Sequence, residues 1–403
     1  MTLIFTPSFA KGKASAPPSK SMAHRALISA ALANGESRLS PIALSEDMLA
    51  TMDCLEALGA EFRREGEEVT VRGMGYPKNT GKALSCRESG STLRFLIPLC
   101  LLTGEEFLLQ GAPRLMERPL GVYEDLCREK GFLFERTPDG ICVAGKLTGG
   151  KYSVPGNISS QFITGLLFAL SCLPEESSLE VTGGMESASY IDMTLSALSA
   201  FGVSIKREGN VFLLSGKNSF QSRDFTVEGD FSNAAFLDAF TLVGGEVQVS
   251  GLCDDSLQGD RVYRDIFPLL QKGSPTVDLS DCPDLAPVLF ALAAYFHGGR
   301  FTRTARLRIK ESDRGAAMAA ELEKCGVALQ VYDNEIIVPK NDLVTPTEII
   351  ESHNDHRIAM AMSVILSRIG GTLSGGEAVA KSYPDFFELI KSLGIEVKEN
   401  ETK

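Results

Sequence analysis

Residues 19–33, SKSMAHRALISAALA, open with polar side chains and continue as a run that is apolar on nearly every face. A surface helix keeps a polar stripe, whereas a helix apolar all round is buried. Pro17 and Pro18 favour an extended lead-in, and Asn34-Gly35 provide a stop. Lys20 stands in the first turn and Arg25 one turn later, where cations oppose the helix macrodipole at about 0.3–1 kcal/mol each. An external anion that neutralises both the lysine and the helix end would explain the placement. Lys20 is therefore a candidate phosphate or carboxylate ligand, with Ser21 donating beside it.

The same helix type recurs. Polar starts followed by apolar runs begin near Lys20, near Gly90 in ESGSTLRFLIPLCLL and near Ser160 in NISSQFITGLLFAL. Three more begin near Ser232 in DFSNAAFLDAFTLV, near Asp284 in DCPDLAPVLFALAAYF and near Asp355 in NDHRIAMAMSVIL. Each is followed, after 39, 41, 42, 41, 42 and 39 residues, by a glycine: Gly59, Gly131, Gly202, Gly273, Gly326 and Gly394. Each glycine ends an amphipathic run such as CLEALGAEF (54–62) or ELEKCGVAL (321–329). Glycine adopts the left-handed conformation that closes a helix at little steric cost. Strand-like segments, EVTVRG, ICVAG, VFLLSG and EIIVP among them, lie between. The chain thus holds six copies of one α/β unit, the fourth shorter than the rest.

Three units suit one domain in size. The expected division is residues 14–223 for units one to three, and 1–13 plus 224–403 for units four to six. The last unit ends after one strand, IEVKE, and the leading TLIF has no unit of its own, so the N-terminal strand should complete the C-terminal domain. The chain then crosses between domains twice, near 13 and near 223, which makes a natural hinge.

Bulk composition narrows the function classes. A net charge of −12 argues against a general nucleic-acid or membrane-surface binder, so any anion site is a local cluster of cations. Nine cysteines without a Cys-x-x-Cys pair read as reduced, buried thiols of a cytoplasmic protein. Four histidines without zinc spacing give no metal site. No GxxxxGK[ST], GxGxxG or GxSxG stretch is present, and no cofactor is expected.

Helix N-termini attract anions, so residues at the starts of the buried helices are the site candidates. They are Lys20, Ser21 and Arg25; Ser89, Gly90, Ser91 and Arg94; Ser159, Ser160 and Gln161; Asp284; and Asp355, His356 and Arg357. The amphipathic helices add Arg118, Ser187, Tyr190, Lys310, Glu311, Arg314 and Lys381. Each has a plainer explanation. Serines, Asn and Asp at these places are ordinary N-caps. Arg118 and Lys381 would be solvated, and Glu311–Arg314 a surface i,i+3 pair worth a few tenths of a kcal/mol. Recurrence at one phase of six repeats favours a shared site.

In order along the chain stand PPSKSMAHRA, SGSTLRFL, ERPLG, ISSQFITGLL, SYIDMTL, QGD, PDLAP, RIKESDR, NDHRIAMAM and AKSYPDFF. Together they resemble the signature stretches of the 3-phosphoshikimate 1-carboxyvinyltransferase (5-enolpyruvylshikimate-3-phosphate synthase) family. The resemblance runs from Lys20 to Phe387. It implies a two-domain inside-out α/β barrel, the enolpyruvyl transferase fold, with three βαβαββ units per domain. It also implies transfer of the enolpyruvyl group of phosphoenolpyruvate to shikimate 3-phosphate, with loss of phosphate. By resemblance, Ser21, Arg25, Ser159, Ser160, Gln161, Ser187, Tyr190, Asp284 and Lys310 hold shikimate 3-phosphate. Lys20, Gly90 through its backbone, Arg118, Gln161, Arg314, Arg357 and Lys381 hold phosphoenolpyruvate, with His356 beside them. Asp284 would take the 5-hydroxyl proton, while Glu311 and Lys20 handle the methylene proton.

The implied partners are these two small molecules, with neither nucleic acid nor membrane, and the chain is expected to act as a monomer. Glu88 and Arg306 stand where many relatives carry Asn. The sister family acting on UDP-N-acetylglucosamine is the nearest enzymatic alternative, but APRLMERPLG lacks the cysteine of its catalytic loop. An RNA-cyclase-type relative would need a basic surface, and a non-catalytic anion-binding relative would not need Asp284, Glu311 and Lys20 intact.

Overall fold

In a computed structural model that describes residues 1–400, all six apolar runs are buried helices. They are Lys20–Leu32, Gly90–Cys100, Ser160–Ser171, Phe231–Leu242, Ala286–Tyr295 and His356–Ile369. Ser19, Ser89, Ser159, Asp230 and Asp355 cap five of them by accepting a backbone N–H two or three residues on. Asp284 sits in the short turn Pro283–Leu285 that leads into Ala286–Tyr295. Leu27, Ile28, Leu167, Phe290 and Ile365 are wholly inaccessible, each worth about 1.5–3 kcal/mol of burial.

The amphipathic runs are helices as well, and five of the six closing glycines have positive φ, from 70° at Gly131 to 111° at Gly59. Gly273 departs from the expectation: its φ of 179° is extended. The sheets supply the reason. In five units a tight turn after the amphipathic helix feeds an antiparallel pair, as Glu61–Glu65 with Glu68–Met74. After Gly273 the chain runs instead into Thr276–Asp278, which pairs parallel with Gly299–Thr302 of the next unit. No reversal is needed there, so no left-handed residue is needed.

Five sheets have four strands in one pattern: a parallel pair followed by two antiparallel neighbours. The sixth is the two-stranded pair of Lys11–Ser15 and Glu246–Ser250. Thr2–Phe5 lies between Gly371–Ser374 and Val397–Glu399, antiparallel to both, and so fills the missing place in the last unit.

The chain forms two compact units, Pro18–Glu228 and Met1–Pro17 with the segment from Gly229 onward. The changes at 17/18 and 228/229 fall a little later than the expected 13 and 223. Lys11–Ser15 is the cause at the first boundary, because its pairing with Glu246–Ser250 keeps it in the second unit. Each unit has its own hydrophobic core. Six cysteines are buried, but Cys142 and Cys172 are partly exposed and Cys253 is exposed, against the expectation of buried thiols there.

Candidate active site

Within Pro18–Glu228 the starts of Gly90–Cys100 and Ser160–Ser171 meet. Gly165 permits it: an added Cβ would lie 2.5 Å from both Arg94 O and Tyr123 Oη, so only glycine lets Ser160–Ser171 approach Gly90–Cys100 this closely. Arg94 then donates to Gln161 Oε1 at 2.8 Å and to Pro119 O at 3.1 Å, and Gln161 Nε2 donates to Ser91 Oγ at 3.0 Å. Gly90 has its own steric reason, since a Cβ there would meet Arg118 Nη1 at 2.5 Å and Cζ at 2.8 Å. The buried Arg118 guanidinium lies against the N-terminus of Gly90–Cys100, not in solvent as the plainer reading had it.

Arg25 is buried, with Nε on Thr194 Oγ1 at 2.9 Å, one Nη on Ser21 O at 2.6 Å and the other on Tyr190 O at 2.9 Å. Burial lowers its pKa to about 10, so it stays charged at neutral pH. Ser159 caps its helix through Gln161 N at 3.3 Å, and Ser160 is buried beside it. Ser187 precedes Ala188–Ala200 in the left-handed region, φ 56° and ψ 46°. For a non-glycine residue this costs about 1–3 kcal/mol, a strain that clusters at functional sites.

Lys20 has an answer that the sequence reading missed. Its Nζ donates to Asp47 Oδ2 at 2.8 Å, and both side chains are largely buried. The neutralising carboxylate is internal, from the first turn of Glu46–Ala57, where a negative charge favours the helix dipole. Thr51 on that helix also touches His24 Nδ1 at 2.9 Å and Thr92 Oγ1 at 2.7 Å. Burial, with Lys20 and Arg25 nearby, keeps His24 well below 6.5 and therefore neutral.

The second unit holds a denser cluster. Asp284 Oδ1 accepts from Lys310 Nζ at 3.0 Å and Arg314 Nη1 at 2.8 Å, and Oδ2 accepts from Arg357 Nη2 at 3.2 Å. Arg314, 1% exposed, also donates to Asp355 Oδ2 at 2.8 Å and Glu311 Oε2 at 2.7 Å. Glu311–Arg314 is therefore a pair of a buried arginine and a partly buried glutamate, not the surface pair of the plainer reading. Arg357 bonds Ser232 Oγ, which ties the starts of Phe231–Leu242 and His356–Ile369 together. His356 is buried with Nδ1 3.9 Å from Asp355 Oδ1, and the buried Lys381 donates to Asn354 O at 2.5 Å.

Burial alone would raise the Asp284 carboxyl, but Arg357, Lys310 and Arg314 together hold it well below the usual range. Burial also lowers the Lys310 ammonium; Asp284 opposes that, while Arg314 and Arg306 add to it. Asp260, from the QGD stretch, behaves oppositely: burial first, then the charge of Asp284, push it up to about 7. Asp47 and Asp260 were not singled out as chemistry from sequence, whereas Asp355 was, and it caps its helix as the plainer reading had it. An acid in the first turn of a helix looks the same whether or not a lysine reaches it.

These sites sit on a chain whose relatives are well defined. The sequence model described as EPSP synthase (3-phosphoshikimate 1-carboxyvinyltransferase) matches residues 6–390. The chain belongs to the EPSP synthase family. A 3-phosphoshikimate 1-carboxyvinyltransferase of Clostridium kluyveri is 39% identical over 98% of this chain and 97% of its own. One from Clostridium perfringens is 39% identical over 97% of this chain and 98% of its own. Among solved structures, an EPSP synthase from Acinetobacter baumannii aligns with a TM-score of 0.78 at 26% identity, over 99% of this chain and 100% of that one. The enolpyruvyl transferase NikO from Streptomyces tendae shares the fold at 15% identity, with a TM-score of 0.77 over 99% of this chain and 98% of its own. The two-domain enolpyruvyl transferase fold that the resemblance implies is the fold of this EPSP synthase family member.

Proposed function

We propose that the chain carries out the EPSP synthase reaction through the residues named above: the enolpyruvyl group of phosphoenolpyruvate passes to the 5-hydroxyl of shikimate 3-phosphate, and phosphate leaves. The chain is a transferase of the shikimate pathway, which leads to the aromatic amino acids. Ser21, Arg25, Ser159, Ser160, Gln161, Ser187 and Tyr190, with Asp284 and Lys310, are assigned to shikimate 3-phosphate. Lys20, the Gly90 backbone, Arg118, Gln161, Arg314, Arg357 and Lys381, with His356, are assigned to phosphoenolpyruvate. Planar guanidinium groups and helix N-termini suit the phosphate and carboxylate groups of both substrates.

The observation that carries this assignment is Asp284 in contact with Lys310, Arg314 and Arg357. Three cations make an isolated carboxylate a weak base. Substrate anions that take over part of this positive charge leave Asp284 more basic where the 5-hydroxyl must lose its proton. The base is thus strengthened by the substrates on which it acts. Glu311, held by Arg314 at 2.7 Å, and Lys20, held by Asp47 at 2.8 Å, are assigned to the methylene carbon, which gains a proton on the way to a tetrahedral intermediate and loses one as phosphate departs. Every residue in this scheme comes from one chain, which fits a monomer, and the nine free thiols fit a cytoplasmic protein.

Phosphate release tests the scheme directly. It should require both phosphoenolpyruvate and shikimate 3-phosphate. Release with UDP-N-acetylglucosamine as the acceptor, or with none, would overturn it.

A further inference from the structure

Just before the helix His356–Ile369, two successive non-glycine residues are left-handed: His353 and Asn354, each with φ 52°. Asn and His tolerate this region better than most side chains, but two in a row need outside support. The surroundings provide it. Glu321, 1% exposed on the helix Arg314–Lys324, accepts from His353 Nε2 at 2.7 Å, Lys324 Nζ at 2.8 Å and Glu351 N at 2.9 Å. Ser352 brackets the step, with Oγ accepting from Asn354 N at 3.3 Å and O from Asp355 N at 2.9 Å. The step turns the Asn354 carbonyl to Lys381 Nζ at 2.5 Å and delivers Asp355 to its cap and to Arg314.

We infer that Glu321 and His353 form a positioning clamp: their hydrogen bond holds the left-handed step, and the step holds the Lys381 ammonium in place. The charged groups facing His353 are Glu321, Glu351 and Lys324. Neither Glu321 nor His353 touches the cluster around Asp284 in the contacts described, so the pair acts through Asn354. The kinetic consequence rests on the assignment of Lys381 to phosphoenolpyruvate. The structural consequence does not.

Two variants of the full chain separate the contact from the backbone preference. His353→Asn tolerates the left-handed region but is too short to reach Glu321. His353→Gln reaches Glu321 with an N–H donor. The probe is the rate at which an amine-reactive ester labels Lys381, read by peptide mass spectrometry against the exposed Lys398 of the same unit. His353→Asn should label Lys381 about threefold faster or more and raise KM for phosphoenolpyruvate about tenfold, with kcat within about twofold. His353→Gln should stay near the parent protein in both. Unchanged Lys381 labelling in folded His353→Asn would overturn the clamp, even if its melting temperature fell. Faster labelling with an unchanged KM would support the clamp and remove Lys381 from the phosphoenolpyruvate site.

Discussion

Replacing Asp284 by asparagine keeps the side-chain shape and removes one negative charge from contact with Lys310, Arg314 and Arg357. Glu311 and Asp355 supply further negative charge to Arg314, and Asp260 lies close enough to feel Asp284 and Arg357. Asp284→Asn therefore makes the cluster more positive by one charge. At these separations each charge pair is worth about 5 kcal/mol at an effective dielectric near 20, before desolvation is subtracted. Breaking a buried pair from one side typically costs about 3–5 kcal/mol. Asp284 retains 17% side-chain exposure, and Arg314 keeps Asp355 and Glu311, so the lower end applies. Urea denaturation followed by circular dichroism should show a loss of about 3 kcal/mol. Inorganic sulfate should restore more stability to the variant than to the parent, because an anion can replace the missing charge. Turnover, measured as phosphate release, should fall by about 10²–10⁴, the usual contribution of a positioned base. Affinity for shikimate 3-phosphate should hold or tighten, since the substrate phosphate no longer competes with a carboxylate. A variant with near-normal turnover and unchanged stability would refute both the base assignment and the charge accounting.

Asp47→Asn should cost about 1.5–3 kcal/mol in urea denaturation, by loss of a charge-assisted bond to Lys20, and should tighten phosphoenolpyruvate binding; weaker binding would count against a competing internal counterion. Gly90→Ala should displace the Arg118 guanidinium and raise KM for phosphoenolpyruvate about tenfold with stability changed by less than about 1 kcal/mol, and an unchanged KM would show that Arg118 is not needed where it lies. Asp260 has its folded pKa raised to about 7 from an ordinary 3.8, so the folded chain holds its proton more tightly than the unfolded chain. Its contribution therefore falls as pH rises between those values, at no more than about 1.4 kcal/mol per pH unit. Asp260→Asn should flatten the stability profile between pH 5 and 7, and parallel profiles would refute the shift.

The repeated pattern was readable because helix burial and helix closure each leave a local mark. An apolar run on every face can only be buried, and a glycine with positive φ ends the following helix in five units of six. Gly273 escaped the pattern because the need for a left-handed residue is set by the strand that follows it. Lys20 was legible as a misplaced charge, but its partner was not. Asp47 reaches it only because two helices pack side by side. Arg118 and Lys381 were site candidates whose plainer reading was a solvated cation, and their burial depends on neighbours far along the chain.

By its own letters the chain determined six α/β units, an N-terminal strand in need of a sheet, and the residues at the electropositive helix ends. Those are local properties, set by side-chain periodicity, capping and the conformational range of glycine. Tertiary structure alone decided which charges meet: Lys20 with Asp47, Asp284 with three cations, and Glu321 with His353. A charge in sequence has a sign but no partner. Distance and burial set the strength of the interaction, and both come only from the packed chain.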